Sequence, residues 1–104
     1  MAGYNLYRYG KFCGIYLVTN MITGEQYIGQ SRNIGVRWLQ HLGNSLKSSK
    51  TERLYEAVRR YGITNFSFQI LEECDKKDLN EREKYWICEL DTYNTGYNRT
   101  LGGS

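Results

Sequence analysis

The sequence has few of the residues that form disulfide bonds or structural metal centres in small proteins. Its 104 residues contain three cysteines, one histidine and no proline. Cys13, Cys74 and Cys88 form no C-x-x-C pair, and three is an odd number. This composition argues against a structural zinc site and a disulfide framework, and it predicts free thiols in a reducing compartment.

Long hydrophobic runs and a strong charge of one sign are also missing. The longest apolar run covers residues 12–18, whereas a membrane-spanning helix needs about 20 such residues. We therefore expect no membrane span, no signal peptide and no membrane partner. The net charge of +3 and the pI near 8.8 are compatible with an anionic partner. Binding to duplex DNA would depend on local basic clusters and would be weak without another DNA-binding segment.

What the chain has in excess is tyrosine, with ten residues. A phenol can fill a core, stack on a base or transfer a proton, so the number alone assigns no role.

Short sequence patterns predict the strands and helices of the chain. Two β-type runs at residues 15–19 and 26–29 flank a loop that ends at Gly24, which predicts a hairpin. A helix is predicted over residues 33–47 and a second from Thr51 to the stop at Gly62. Alternating apolar residues 66, 68 and 70 predict a third strand. Residues 78–81 resemble a capping box that opens a helix to about Leu90. Four-residue steps define the buried stripe of the first helix: Ile34, Trp38, Leu42 and Leu46.

This order, β-β-α-α-β-α, predicts an α/β fold of the α+β kind, a small antiparallel sheet with helices packed on it. We expect one domain over residues 1–98, with residues 1–11 as an N-terminal arm. Residues 99–104 are expected to be a flexible tail that starts a linker to an absent DNA-binding region.

The hairpin places two tyrosines together. If Asn20 pairs with Glu25, then Tyr16 lies opposite Gly29 and shares a sheet face with Tyr27. The two phenols would be diagonal neighbours about 7–8 Å apart, and Gly29 would leave open space in front of the Tyr16 ring. The alternative is two tyrosines that only fill a half-buried strand pair.

Two further positions carry candidate chemistry. Arg37 and His41 are four residues apart on one helix face, offset from the apolar stripe, so both heads are expected in solvent. Together they suit a phosphate, although a solvated helix flank is the alternative. Glu83 falls within the stripe of Leu79 and Ile87 on the last helix. A carboxylate there must be paired, protonated or metal-bound, so a structural salt bridge and a Mg²⁺ or Mn²⁺ site are both open.

In combination these residues resemble the GIY-YIG nuclease family, most closely the catalytic domains of phage-type homing endonucleases. The resemblance runs from Gly14 to about Asn98. It rests on Gly14-Ile15-Tyr16, Tyr27-Ile28-Gly29, Arg37 with His41, the helix around Glu83, and Gly96-Tyr97-Asn98. It implies a three-stranded antiparallel sheet flanked by helices, and hydrolysis of DNA phosphodiesters with one divalent ion, Mg²⁺ or Mn²⁺.

The resemblance also implies a role for each residue. Tyr16 would be the general base, with Tyr27 shaping or sharing that role, and Arg37 would hold the scissile phosphate. His41 would assist proton movement, Glu83 would ligate the metal and Asn98 would brace the site. A free phenol has a pKa near 10, so only about one in a thousand is ionised at pH 7, and Arg37 and the metal would have to favour the ionised form.

Some members of the family carry a further basic residue after the first helix. This chain has no second histidine that could be that residue. Lys47, Lys50 or Arg53 could replace it, and with Arg37 they are the predicted DNA contacts. The expected partner is DNA, with no small-molecule cofactor, for a monomer in the cytoplasm of a prokaryotic or phage-infected cell. Alternatives are a restriction or repair nuclease, a non-catalytic nucleic-acid-binding module, and an interaction domain whose tyrosines are core and whose candidate residues are scattered.

Overall fold

A computed structural model, which describes residues 12–47 and 52–103, has the predicted three-stranded antiparallel sheet flanked by helices. The strands lie in the order β2-β1-β3. They are β1 (Gly14–Asn20), β2 (Gln26–Ser31) and β3 (Phe66–Glu73). The helices are α1 (Ile34–Ser45), α2 (Arg53–Tyr61), α3 (Leu79–Leu90) and α4 (Thr92–Thr95), with short 3₁₀ turns at Ile63–Asn65 and Lys76–Asp78. The predicted arm (residues 1–11), Lys50, Thr51 and Ser104 lie outside the described residues.

The hairpin has the predicted register. Tyr16 lies opposite Gly29 and Val18 opposite Tyr27. The amide of Asn20 donates to the carbonyl of Glu25 at 2.9 Å, which closes the turn. Because side chains alternate between the two faces of a strand, this register places Tyr16 and Tyr27 on one face.

The central strand β1 is buried on both faces because helices cover the sheet from both sides. Tyr16 and Val18 belong to a core with α1 and α2. Ile15 and Leu17 belong to a second core with α3. The first core lies behind the candidate site, and the second holds the helix that carries Glu83.

The apolar stripe predicted for α1 is right at its start and wrong at its end. Ile34 and Trp38 are buried, but Leu42 is half-buried and Leu46 is 86% exposed. A helix has 3.6 residues per turn, so each four-residue step overshoots a full turn by about 40° and the third step is displaced by about 120°. The inward positions at this end of α1 are instead those of His41 and Ser45.

Two helix ends follow the prediction, and one predicted cap is wrong. Gly62 ends α2 with a φ of 87°, and its amide donates to the carbonyl of Val58 at 2.9 Å. Helix α3 runs to Leu90 as expected. The side chain of Asp78 makes no capping hydrogen bond, because Asp78 ends a 3₁₀ turn and its ψ of −4° is not the extended conformation of a capping residue.

Within the described residues, no helix combines the length and the apolar character needed to cross a membrane. Cys13, Cys74 and Cys88 are all unpaired.

Candidate active site

A pocket of about 400 Å³ opens where the hairpin, α1, α2, α3 and the segment after α4 meet. Five of the six predicted catalytic residues line it: Tyr27, Arg37, His41, Glu83 and Asn98. The sixth, Tyr16, lies directly behind His41 and Tyr27. The scattered arrangement expected of a plain interaction domain is therefore not what the fold produces.

Tyr16 is fully buried, and its ring lies across Gly29. A Cβ at Gly29 would be 2.2 Å from Cζ of the Tyr16 ring and 2.3 Å from its hydroxyl oxygen. The space that Gly29 leaves open by having no side chain is therefore filled by the ring of Tyr16. The ring centroids of Tyr16 and Tyr27 are 6.3 Å apart, so the two phenols are neighbours on one sheet face, as the register predicted.

His41 is buried, not solvated as predicted, because the drift of α1 turns its side chain inward. Its Nε2 lies 2.5 Å from the Tyr16 hydroxyl oxygen, and its Nδ1 lies 2.8 Å from the hydroxyl oxygen of Tyr55. Burial, with a smaller contribution from the nearby charge of Arg37, lowers the pKa of His41 to about 3. The imidazole is therefore neutral at physiological pH.

Arg37 is half-buried at the pocket wall, with Nη1 donating to the Gln40 side chain at 3.2 Å. Burial raises the pKa of Tyr16 well above its ordinary value, and the charge of Tyr27 adds to this, while Arg37 opposes the shift by charge and by a hydrogen bond. Burial likewise raises the pKa of Tyr27, and Arg37 again opposes it. The arginine acts in the expected direction, but burial dominates, so both phenols remain protonated.

Glu83 is 9% exposed and lies among the buried residues of α3, as its place in the apolar stripe predicted. Its Oε1 accepts hydrogen bonds from Gln30 Nε2 at 3.1 Å and from the amide of Gly103 at 2.9 Å. Among the described residues it has no cationic partner, since the ion pair found there joins Arg82 to Glu72. The structural salt bridge that was the alternative for Glu83 is therefore not present in this part of the chain.

Glu83 offers a single carboxylate at the pocket, so a hard divalent ion bound there would have to keep most of its water. Residues 12–47 and 52–103 contain no group of three or more histidine, cysteine or acidic side chains arranged to hold a metal. Mg²⁺ is often bound by one or two carboxylates, with waters and substrate oxygens completing its coordination. Both recorded hydrogen bonds end on Oε1, so Oε2 of Glu83 is the oxygen that could serve as a ligand at the pocket.

Asn98 holds the edge of the sheet. Its Oδ1 accepts from the amide of Ile28 at 2.8 Å, and its Nδ2 donates to the carbonyl of Ile28 at 2.9 Å. Strand β2 is an edge strand, so these groups have no partner strand on that side. The buried amide thereby fixes the strand that carries Tyr27 and Gly29.

Of the predicted DNA contacts other than Arg37, the two that the structure describes, Lys47 and Arg53, are not among the residues that line the pocket. Lys47 and Arg53 are exposed, and Arg53 Nη1 donates to the carbonyl of Gly96 at 3.5 Å. Lys50 lies outside the described residues.

The structure adds pocket residues that the sequence did not single out, above all Tyr55 with Asn44. Tyr55 lies three residues before the buried Val58, so helical periodicity could have placed it on the inward face of α2. No sequence signal could have placed it against His41, because that contact depends on how α1 packs on α2.

Comparison with known proteins agrees with this fold and site. The family model described as the GIY-YIG catalytic domain matches residues 12–98. Intron-associated endonuclease 1 of Enterobacteria phage T4 is 34% identical over 88 residues, which are 82% of this chain and 36% of that protein. The chain thus spans about a third of the length of this curated relative.

Two solved structures are similar over nearly the whole of their chains. The catalytic domain of homing endonuclease I-TevI superposes with a TM-score of 0.76 at 30% identity, covering 85% of this chain and 98% of the other. A mutant of the catalytic domain of intron endonuclease I-TevI gives a TM-score of 0.79 at 29% identity, covering 88% and 96%. The chain therefore belongs to the GIY-YIG family. Within that family it is a nuclease domain related to the catalytic domains of homing endonucleases.

Proposed function

We propose that this domain hydrolyses DNA phosphodiester bonds with one Mg²⁺ or Mn²⁺ ion bound at Glu83, as the catalytic part of a homing endonuclease. The observation that carries the proposal is Glu83 itself, a buried carboxylate at the same pocket as Arg37 and Tyr27. A carboxylate repels a phosphate unless a cation lies between them. A module that only binds nucleic acid has no use for this group in its binding pocket.

Arg37 is proposed to hold the scissile phosphate. Its planar fork offers two parallel donors to phosphate oxygens, and a fixed charge stabilises the negative charge that grows on them during the reaction. The bound ion would act as a Lewis acid that stabilises the leaving oxygen.

Tyr16 is proposed to be the general base, with His41 as its proton acceptor. Neither a phenolate nor an imidazolium is favoured here, because the pKa of Tyr16 is raised and that of His41 is lowered. We therefore expect one concerted step, in which Tyr16 takes a proton from water as it gives its own hydrogen to His41 Nε2, so that no free phenolate forms. The step leaves His41 as an imidazolium, which the negative charge of the bound phosphodiester has to stabilise against its lowered pKa. Tyr16 is fully buried in the free protein, so the site has to open before water can reach the phenol. Tyr27, which lines the pocket, would position that water.

Low affinity for DNA is expected of this domain alone, because its net charge is only +3. We therefore propose that its target is chosen by another part of the protein. We also propose that the domain acts as a monomer in the cytoplasm.

Nicking of supercoiled plasmid in Mg²⁺ tests this function. The wild type should convert supercoiled DNA to the open circle, while Glu83→Ala and Tyr16→Phe should lose most of that activity. Equal nicking by all three proteins would refute the assigned site.

A further inference from the structure

Tyr55 is a buried tyrosine at the pocket to which the proposed function gives no role. It is 6% exposed, and it is one of the residues that line the pocket. Its hydroxyl oxygen lies 2.8 Å from His41 Nδ1 and accepts from Asn44 Nδ2 at 3.3 Å. Arg37 lines the same pocket.

The hydrogen-bond count around His41 decides which ring nitrogen carries the hydrogen. Tyr16 is fully buried, so its hydroxyl needs an acceptor. Among the described residues, the hydrogen-bond partner of this hydroxyl that can act as an acceptor is His41 Nε2. A neutral imidazole has one N–H and one lone pair, so Nε2 accepts and Nδ1 carries the hydrogen. His41 therefore donates from Nδ1 to the oxygen of Tyr55.

The same count directs the hydrogen of Tyr55 into the pocket. Its oxygen receives one hydrogen from His41 and one from Asn44, which occupies both of its lone pairs. Its own hydrogen can point to neither of these donors. Because Tyr55 lines the pocket, its hydrogen is left to point into the pocket.

We propose that the hydroxyl of Tyr55 is a second phosphate ligand, which donates its hydrogen to a non-bridging oxygen of the phosphodiester that Arg37 holds. The inference deepens the proposed function and rests on it. The two hydrogen bonds that Tyr55 accepts polarise its O–H and make it a better donor to an anion. His41 then serves two partners, as an acceptor for Tyr16 and as a donor that orients Tyr55.

The first test is the tautomer of His41 in the free protein. His41 is the single histidine of the chain, so its two ring nitrogens give unambiguous signals in a long-range ¹⁵N–¹H spectrum. We expect a protonated Nδ1 and an unprotonated Nε2 at pH 7. The opposite tautomer would overturn the proposal, because the hydroxyl of Tyr55 would then donate to His41 and not to the pocket.

The second test is binding of inorganic phosphate, followed through the same His41 signals. Tyr55→Phe should raise the dissociation constant about 10- to 100-fold, which corresponds to the loss of one hydrogen bond to a charged group. Tyr61→Phe is the matched control, because Tyr61 lies on the same helix but does not line this pocket. Equal phosphate binding by wild type and Tyr55→Phe, or no binding by the wild type, would overturn the proposal.

Plasmid nicking by the same variants separates this inference from the proposed function. Tyr55→Phe should nick about 10- to 100-fold more slowly than wild type and Tyr61→Phe at subsaturating DNA. A wild type that cuts and depends on Glu83, together with a Tyr55→Phe variant of equal rate, would overturn the role of Tyr55 and leave the proposed function intact. A wild type that does not cut would overturn both.

Discussion

Replacing His41 with glutamine should make the fold less sensitive to acid. The imidazole is 4% exposed, and its pKa is lowered to about 3 by burial and by the charge of Arg37. In the unfolded chain its pKa is about 6.5, so between these two values the unfolded state binds a proton that the folded state does not. The contribution of neutral His41 to the free energy of unfolding of the wild type is therefore fully present above pH 6.5. It is lost progressively as the pH falls towards 3.

The size of this effect follows from the shift of the pKa. Each pH unit within the window changes the free energy of unfolding by about 1.4 kcal/mol, so the whole shift corresponds to about 5 kcal/mol. Carboxylates such as Glu72, whose pKa is lowered mainly by its hydrogen bond from Trp86, add their own acid sensitivity. They act equally in both proteins and cancel in the difference.

Denaturant unfolding at half-unit steps from pH 4 to pH 7.5 measures this difference. The free energy of unfolding of the wild type should fall more steeply towards acid than that of His41→Gln, by about 1.4 kcal/mol per pH unit. Parallel curves for the two proteins would refute the reasoning. So would a wild-type imidazole that titrates near pH 6.5 in the NMR spectrum.

Two further substitutions test the geometry of the site, each with a control in the same chain. Gly29→Ala should destabilise the fold by about 1–3 kcal/mol and abolish nicking, because its Cβ would overlap the ring of Tyr16. Gly43→Ala, where the new Cβ meets no atom within 4 Å, should stabilise the fold by about 0.5–1 kcal/mol, and thermal unfolding of both variants measures this. Arg37→Lys should slow nicking about 100-fold because an ammonium cannot replace the fork, whereas the exposed Arg32→Lys should cut at the wild-type rate. Equal rates for the two lysine variants would contradict the role of the fork.

The part of the site that depends on local rules could be predicted from the sequence. The hairpin register follows from one turn, and it placed Tyr16 opposite Gly29 and beside Tyr27. The burial of Glu83 follows from the period of one helix. These predictions hold because a strand or a helix fixes the relative directions of its own side chains.

The part that depends on packing between elements could not be predicted. To predict that His41 points inward, the true rotation of about 100° per residue has to be followed along α1. To predict its contact with Tyr55, the packing of α1 against α2 has to be known. The hydrogen bond from Gly103 to Glu83 joins residues 20 positions apart. Gly102 and Gly103 have φ values of 94° and 85°, a left-handed conformation that glycine tolerates, but nothing in the sequence shows which side chain such a segment contacts.

The central claim is that a single divalent ion at Glu83 drives cleavage, and a Mg²⁺ titration of plasmid nicking under single-turnover conditions tests it most directly. Glu83→Gln keeps the size of the side chain but removes its charge, and Glu89→Gln makes the same change at an exposed position of the same helix. We predict a simple hyperbolic rise of the rate with Mg²⁺ for the wild type and Glu89→Gln, and a fall of about 100-fold or more for Glu83→Gln. Undiminished wild-type nicking in the presence of a chelator, or equal rates for the two glutamine variants, would contradict the account.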